Sequence, residues 1–346
     1  MRATPASPTT TPGLFDLQVN GFGGVDFNDA AITPEALDRA LAAMRSTGVT
    51  LCLPTLITAT EEVLAARFAA LDKAIAASRL GPAMCPGYHL EGPFLNPAEG
   101  YRGCHPASAM RAADPGLIAR LEASLARPIL LVTLAPEIEG ATETIEWATA
   151  RRKVVAIGHS TATGEALARA VAAGLSLSTH LGNGVLHSQH KFDNTIFAQL
   201  SEDRLFADFI ADGIHVPPNA LKVMLRAKGI ARSILVTDAV SAAAAPVGLH
   251  PFAGMTVERS ANGTVRVPGE TMLAGSSLTL DQAVRNLVNW GLASFEEAID
   301  MAALNPRRLM ARSFDALGLP MPDGRVTWSA SMEVEQAELG SLPGAD

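Results

Sequence analysis

Cysteine is scarce in this chain, and the little that is present forms no recognisable site. The three residues, Cys52, Cys85 and Cys104, are an odd number with no CxxC spacing. A disulfide framework and a zinc ribbon built on paired cysteines are therefore excluded. This usage fits a reducing compartment, and we expect a cytoplasmic protein.

Positive charge and long hydrophobic runs are also scarce. The chain has 27 Lys and Arg against 35 Asp and Glu, a net charge of −8, with no basic run, so nucleic-acid and anionic-membrane partners are disfavoured. No stretch approaches the about 20 apolar residues that cross a bilayer. Residues 1–12 also lack the apolar centre of a signal peptide. We expect a soluble protein with a disordered tail over residues 1–12.

Apolar residues, in contrast, are abundant: 48% of the 346 residues are hydrophobic and 18% are charged. A chain of this size predicts one large or two ordinary domains. From Leu14 onward, short apolar runs alternate with Ala-rich segments of helical period, which is typical of parallel β/α units. The eight predicted strands are Leu14–Val19, Val49–Leu53, Ala83–Leu90, Ile129–Leu134, Val154–Ile157, Leu175–Thr179, Leu205–Ile210 and Ile234–Val236.

Eight such units predict an α/β fold of the (β/α)8 TIM-barrel type. A doubly wound sheet is disfavoured because Gly21-Phe22-Gly23-Gly24 lacks the GxGxxG turn that opens its first helix. The barrel is expected over residues 13–312, with a β-hairpin insertion near 250–275 around the Asn262-Gly263 turn signal. A C-terminal extension over residues 313–346 is expected to follow and to contain a strand at Arg325–Val334.

Four chemically capable side chains, Glu91, His159, His180 and Asp238, each follow an apolar strand. Any one of them alone is more often a hydrogen-bonded loop residue or a helix cap. In a barrel, however, the strand ends converge on one mouth. Two imidazoles and one carboxylate form the His₂Glu set of a catalytic zinc, with a position left for water, from which Asp238 could take a proton. The shared placement favours a metal hydrolase.

Several motifs extend this pattern. HLEGPFL at 89–95, DGIHV at 212–216 and LVTDA at 235–239 occur together, with DLQVNG at 16–21, GHS at 158–160, THLGN at 179–183, AGS at 274–276 and NP at 305–306. Along the chain, from about Asp16 to Leu309, these motifs follow the order of a known family, and the chain resembles the N-acetylglucosamine-6-phosphate deacetylases of the amidohydrolase superfamily.

The resemblance implies a role for each matching position. Glu91, His159 and His180 would be metal ligands, and Asp238 would be the catalytic acid and base. His215 would contact the substrate. The sugar site would further include His105, Gly182 and Asn183.

Strand one bears on the number of metals. Many amidohydrolases end this strand with HxH, which supplies a second metal, whereas this chain has Gln18 and Asn20. Neutral amides hold divalent metals poorly beside imidazole or carboxylate. We expect hydrogen-bonded amides here and one divalent metal per chain, namely zinc, with iron, cobalt and manganese as alternatives.

The chain departs from the family in two places. Where relatives carry an arginine that helps to hold the sugar phosphate, this chain has Lys191, which loses bidentate recognition. His187 and His190 are also unusual there and could contact the ligand or face solvent. The small β-sandwich of the relatives is expected to be absent or much reduced, and their two-fold dimers imply a homodimer.

The function expected from the sequence is metal-dependent removal of the N-acetyl group from an amino sugar, either N-acetylglucosamine 6-phosphate or a close relative. Two alternatives stay open. The barrel could hydrolyse another small amide, such as a cyclic imide or an N-acyl amino acid. It could also be a catalytically silent sugar-binding protein, although the retained ligand set and Asp238 argue against this.

Overall fold

The computed structural model describes residues 7–341 of the chain. Its strands are β1 Thr9–Pro12, β2 Leu14–Val19, β3 Gly21–Phe22, β4 Val25–Asp26, β5 Val49–Ile57, β6 Tyr88–Glu91, β7 Ile129–Leu134, β8 Val154–Ile157, β9 Leu177–Ser178, β10 Phe206–Phe209, β11 Ser233–Leu235, β12 Gly248–Phe252, β13 Met255–Arg259, β14 Val265–Arg266, β15 Arg325–Trp328 and β16 Val334–Glu338.

Helices alternate with these strands over most of the chain. They are α1 Pro34–Ser46, α2 Glu61–Ala77, α3 Gly81–Met84, α4 Pro115–Glu122, α5 Ala141–Ala150, α6 Gly164–Ala173, α7 Thr195–Ser201, α8 Pro218–Lys228, α9 Leu280–Asn289, α10 Phe295–Ile299 and α11 Asn305–Leu317. Short 3₁₀ turns at Ala107–Ala109 and Ile230–Arg232 and a π turn at Asp300–Leu304 complete the regular structure. None of the helices between residues 7 and 341 is long and apolar enough to cross a membrane.

Eight parallel strands form the central sheet, in the order β11-β10-β9-β8-β7-β6-β5-β2. Its two edge strands meet just beyond their ends, where the Asn20 amide donates to the Ala239 carbonyl (2.7 Å) and the Asp238 amide donates to the Gln18 carbonyl (2.9 Å). These bonds close the sheet into a barrel. The predicted (β/α)8 fold is thereby confirmed.

The barrel strands are buried, apart from the half-buried Phe206 at the start of β10, because helices cover their outer faces. All six residues of β2 and all nine of β5 are buried. The third strand begins later than predicted, because Gly81–Met84 forms a helical turn instead. A proline lies in the first positions of this turn, where the backbone N–H that it lacks would have no partner within the helix. Three polar residues of the floor, Asp16, Gln18 and Asn20, are also buried.

The tail predicted over residues 1–12 is wrong for residues 9–12. There β1 pairs with β15, and β15 pairs with β16, in a small antiparallel sheet; residues 1–6 lie outside the described part. Trp328 stabilises this sheet because its side chain is buried and its Nε1 donates to Thr11 Oγ1 (2.8 Å). In the described residues, these three strands stand where the small β-sandwich was expected to be absent or much reduced. Helix α11 also crosses the predicted boundary between residues 312 and 313.

The insertion has three strands, one more than the hairpin predicted from the sequence. Strands β12, β13 and β14 form a three-stranded antiparallel sheet that begins at Gly248. Its second turn contains the predicted Asn262-Gly263 pair, with Gly263 at φ 86°, a value that favours glycine. The insertion lies beside the carboxyl end of the barrel and contributes Arg266 to the site described next.

Candidate active site

The carboxyl ends of the barrel strands and the loops that follow them line a cavity of about 1120 Å³. The cavity brings together every site residue predicted from the sequence: Glu91, His105, His159, His180, Gly182, Asn183, His187, His190, Lys191, His215 and Asp238. Asn20 also lines it. The residues that the sequence placed at strand ends therefore do line one cavity.

Three of these residues have an unusual backbone. His159, His180 and Asp238 adopt φ values of 51°, 31° and 47°, two or three residues after their strands end. Such left-handed conformations cost about 1–3 kcal/mol each in residues other than glycine, so the surrounding structure must hold them. At each of these residues the chain turns sharply after a strand, and the side chain of that residue lines the cavity.

Glu91 is the buried centre of the site. Its Oε1 lies 3.1 Å from His180 Nε2 and 3.4 Å from His159 Nε2, and its Oε2 lies 3.9 Å from His105 Nε2. Ligand-type atoms of Glu91, His105 and His159 all lie within 4.8 Å of one another. The structure thus adds His105, predicted as a sugar contact, to the residues that could hold a metal. His180 lies outside this group of three and contacts it through its Nε2, which is close to Glu91 Oε1.

The hydrogen bonds around the histidines fit a divalent metal. His159 Nδ1 lies 2.6 Å from the Tyr101 carbonyl, which can only accept, so Nδ1 carries the proton and the neutral ring has its lone pair on Nε2. Thr58 donates to the Glu91 carbonyl and therefore accepts from His105 Nδ1, which leaves the His105 Nε2 lone pair free as well. Imidazole lone pairs that converge on a carboxylate in this way fit a divalent cation held between them.

The titration of two histidines supports the same conclusion. Burial lowers the pKa of His105 to about 3, so this imidazole is neutral and available as a ligand. Burial also lowers the pKa of His180, but the hydrogen bond to Glu91 and the charge of that carboxylate outweigh it and raise the pKa to about 9. Glu91 thus favours a positive charge on the side that it shares with His180, and a divalent metal would supply one there.

Gln18 and Asn20 hold the catalytic candidate Asp238 in place. Asn20 Nδ2 donates to Asp238 Oδ1 (2.8 Å), and Gln18 Nε2 donates both to Asp238 Oδ1 (3.2 Å) and to Glu91 Oε1 (3.1 Å). The hydrogen-bonded amides expected on strand one are therefore present. Burial and the charge of Glu91 raise the pKa of Asp238 to about 6, near the value that suits a base at neutral pH.

His215 is oriented by a residue that sequence reasoning did not assign. Its Nδ1 lies 2.6 Å from Asp212 Oδ2, while Asp212 Oδ1 accepts from the amides of Ile214 and His215 (both 2.8 Å). Nε2 is the ring nitrogen left for a substrate. The spacing of Asp212 and His215 in DGIH is the signal that could have identified this pair, because an aspartate commonly bonds to amides two and three residues on.

The loop over residues 186–194 is exposed at the cavity rim. His190 Nδ1 accepts from the amide of Asp193 (2.9 Å), so this histidine stabilises the loop, and only its Nε2 remains for a ligand. Lys191 Nζ lies 5.5 Å from the centre of the Phe192 ring. His187 is exposed at the same rim.

Arg266 was missed because a charge on a hairpin strand is typical of a solvent-exposed face. It lines the cavity from β14, where its backbone bridges to Leu273. Its guanidinium makes no ion pair or hydrogen bond with residues 7–341. Its position in the cavity is set by the insertion's contact with the segment leading to Gly275, which no local pattern predicts.

Comparison with known proteins identifies the family, although no family model matches the chain. The chain is 35% identical to N-acetylgalactosamine-6-phosphate deacetylase of Escherichia coli O157:H7 over 301 residues, 86% of this chain and 77% of the relative. It is 35% identical to human N-acetylglucosamine-6-phosphate deacetylase over 336 residues, 93% and 78% of the two chains. The N-acetyl-D-glucosamine-6-phosphate deacetylase structure from Mycobacterium smegmatis matches with a TM-score of 0.85 at 28% identity, covering 96% of this chain and 86% of that one. These likenesses extend over most of the chain, and the chain belongs to the N-acetylglucosamine-6-phosphate deacetylase family of the amidohydrolase superfamily.

Proposed function

We propose that this chain hydrolyses the acetamide of an N-acetylhexosamine 6-phosphate and releases acetate and the free amino sugar phosphate. The observation that carries the proposal is the position of Asp238 beside a buried carboxylate and imidazole lone pairs, inside a cavity large enough for a sugar. The likeness to the Mycobacterium smegmatis enzyme, which was solved in complex with N-acetyl-D-glucosamine-6-phosphate, supports it.

Glu91, His159 and His180 are the residues we propose as ligands of the metal. A divalent metal held there would polarise an amide carbonyl and lower the pKa of water. Asp238 accepts the proton of the water that adds to the carbonyl carbon and returns it to the nitrogen as the C–N bond breaks. Asp238 Oδ1 already accepts from Gln18 and Asn20, which leaves Oδ2 for the proton. His215, held through Nδ1 by Asp212, presents Nε2 to the substrate.

One metal per chain, zinc in the first instance, is part of the proposal because strand one presents amides that donate hydrogen bonds. Elemental analysis of the purified protein is expected to give about one equivalent. As a matched variant, Gln18→His with Asn20→His introduces the missing imidazoles and is expected to raise the content towards two. Two tightly held metals in the wild-type protein would contradict the single site.

The two cations of the rim, Lys191 and Arg266, are proposed to bind the 6-phosphate. Arg266 presents a guanidinium fork that can bind phosphate through two bonds, which a lysine cannot do. Wild-type kcat/KM is expected to favour N-acetylglucosamine 6-phosphate over the unphosphorylated sugar by about 100-fold, since each charge-assisted bond contributes about 1.5–3 kcal/mol. Lys191→Ala and Arg266→Ala are each expected to lose about tenfold or more of this preference, mainly through KM.

Arg169→Ala is the control for these variants because Arg169 pairs with Glu165 on the outer helix α6. It should leave the preference unchanged. Equal turnover of both sugars by the wild-type protein would reject the phosphate clamp and favour hydroxyl contacts from His187 and His190. No acetate from any N-acetyl amino sugar would reject the substrate class, and an amide screen would then test the other amidohydrolase reactions.

The setting of the enzyme completes the proposal. A reducing cytoplasm is supported by three free thiols, including Cys52 and Cys85, whose sulfur atoms lie 3.7 Å apart without a bond. A homodimer is supported by Phe192 and Phe197, which are 69% and 51% exposed and stack edge to face near the cavity rim.

A further inference from the structure

Asp16 is a buried carboxyl group in the first barrel strand with no cation beside it. Its side chain is fully buried, and among residues 7–341 no lysine, arginine or histidine forms an ion pair with it. Burial raises the pKa of Asp16 to about 7. An acid at such a position is costly to fold, and the mechanism above gives it no chemical step. Its contacts therefore need an explanation.

Those contacts lead to Thr237, the residue before Asp238. Asp16 Oδ2 accepts from Thr237 Oγ1 (2.5 Å), and Asp16 Oδ1 accepts from the Thr237 amide (3.2 Å). The same Thr237 hydroxyl accepts from the Ala239 amide (3.1 Å). One hydroxyl, anchored by Asp16, thus holds the chain on both sides of Asp238.

The turn held in this way is one of the three in the site that contain a left-handed residue other than glycine. Asp238 has a φ of 47°, and its carbonyl accepts from the Ser276 amide (2.9 Å) while its own amide donates to the Gln18 carbonyl (2.9 Å). Ser276 Oγ also donates to the Thr237 carbonyl (2.6 Å). These backbone bonds fix the direction of the Asp238 carboxylate, whose Oδ1 accepts from Asn20. The contact between Asp16 and Thr237 adds a side-chain bond from strand β2 to this network.

We infer that Asp16 and Thr237 are positioning residues that hold the backbone turn of Asp238 and thereby aim its carboxylate at the reacting atoms. Neither residue is among those lining the cavity, so they act through Asp238. The inference rests on the proposed function because it takes Asp238 to be the base. Its physical basis is that a displacement of about 1 Å in a reacting group can cost about 100-fold in rate.

The test compares Thr237→Val, which keeps the side-chain shape and removes the hydroxyl, with Thr237→Ser, which keeps the hydroxyl. We expect Thr237→Val to lower kcat by about 10–100-fold, with KM and metal content within about twofold of wild type. Thr237→Ser should restore kcat to within about threefold. Asp16→Asn, which removes one acceptor oxygen, should change kcat in the same direction as Thr237→Val.

Thr50→Val is the matched control, because Thr50 is buried at the opposite end of the barrel, where its hydroxyl contacts the Leu14 carbonyl. It should leave kcat unchanged at a comparable loss of Tm. A Thr237→Val enzyme within twofold of wild-type kcat would overturn the inference, as would a loss of kcat that follows metal content or equals the loss in Thr50→Val.

A crystal structure of Thr237→Val separates this inference from the proposed function. The bond from Asn20 Nδ2 to Asp238 Oδ1, 2.8 Å here, is expected to lengthen or break in the variant. If the wild-type protein releases no acetate from any N-acetyl amino sugar, the proposed function fails, and this distance still decides the positioning role. An unchanged distance would overturn it.

Discussion

Replacing Asp238 with asparagine is expected to lower kcat by about 10³–10⁴-fold, at the upper end of general-base effects, because one carboxylate serves both as base and as acid. The asparagine side chain has the same shape but cannot accept the proton of water. Its metal content should stay at the wild-type level, since Asp238 is not one of the proposed ligands Glu91, His159 and His180, and its Oδ1 already accepts from Gln18 and Asn20.

The control for this result is Asp208→Asn. Asp208 is another buried carboxyl at a barrel strand, but it accepts from the His180 backbone amide and is not among the cavity-lining residues. It should reduce kcat far less than Asp238→Asn. If Asp238→Asn instead retained turnover within tenfold of wild type, Asp238 would only orient or cap, and another base would have to be sought in the cavity.

The second large effect is expected at the metal. His180→Ala should lose the metal and the activity together, with turnover below about 1% of wild type, because the metal supplies both the polarised carbonyl and the activated water. His180 Nε2 is 3.1 Å from Glu91 Oε1, closer than the 3.9 Å between His105 Nε2 and Glu91 Oε2. Elemental analysis and acetate release, measured on purified His180→Ala and on His105→Ala for comparison, test this expectation.

His105→Ala is the informative comparison, because His105 belongs to the tightest group of ligand-type atoms and is nevertheless proposed as a sugar contact. We expect this variant to keep its metal and to lose activity through substrate binding. The opposite pattern, in which His105→Ala is metal-free and His180→Ala retains the metal, would exchange the roles of the two histidines. Zinc added at micromolar concentration should not restore activity to a variant that has lost a true metal ligand.

The sequence by itself determined the barrel and which chemically capable residues gather at its mouth. Apolar runs, helix starts and glycine turns are local signals, so they placed Leu14–Val19, Ile129–Leu134 and Val154–Ile157 at their observed bounds. Once a barrel is inferred, polar residues that follow its strands must share one end. Glu91 and Asp238 could therefore be assigned to one site although 147 positions separate them.

Only the tertiary structure decided which atoms meet at that end. Asp16 and Thr237 are 221 positions apart and Thr11 and Trp328 are 317 apart, yet each pair is joined by a side-chain hydrogen bond. The register between the first and last barrel strands sets which amides donate to Asp238, and the path of the 99–105 loop brings His105 to Glu91. Such contacts come from closing the barrel, which depends on the packing of all the strands and helices together, whereas local periodicity carries no information about partners so distant in the chain.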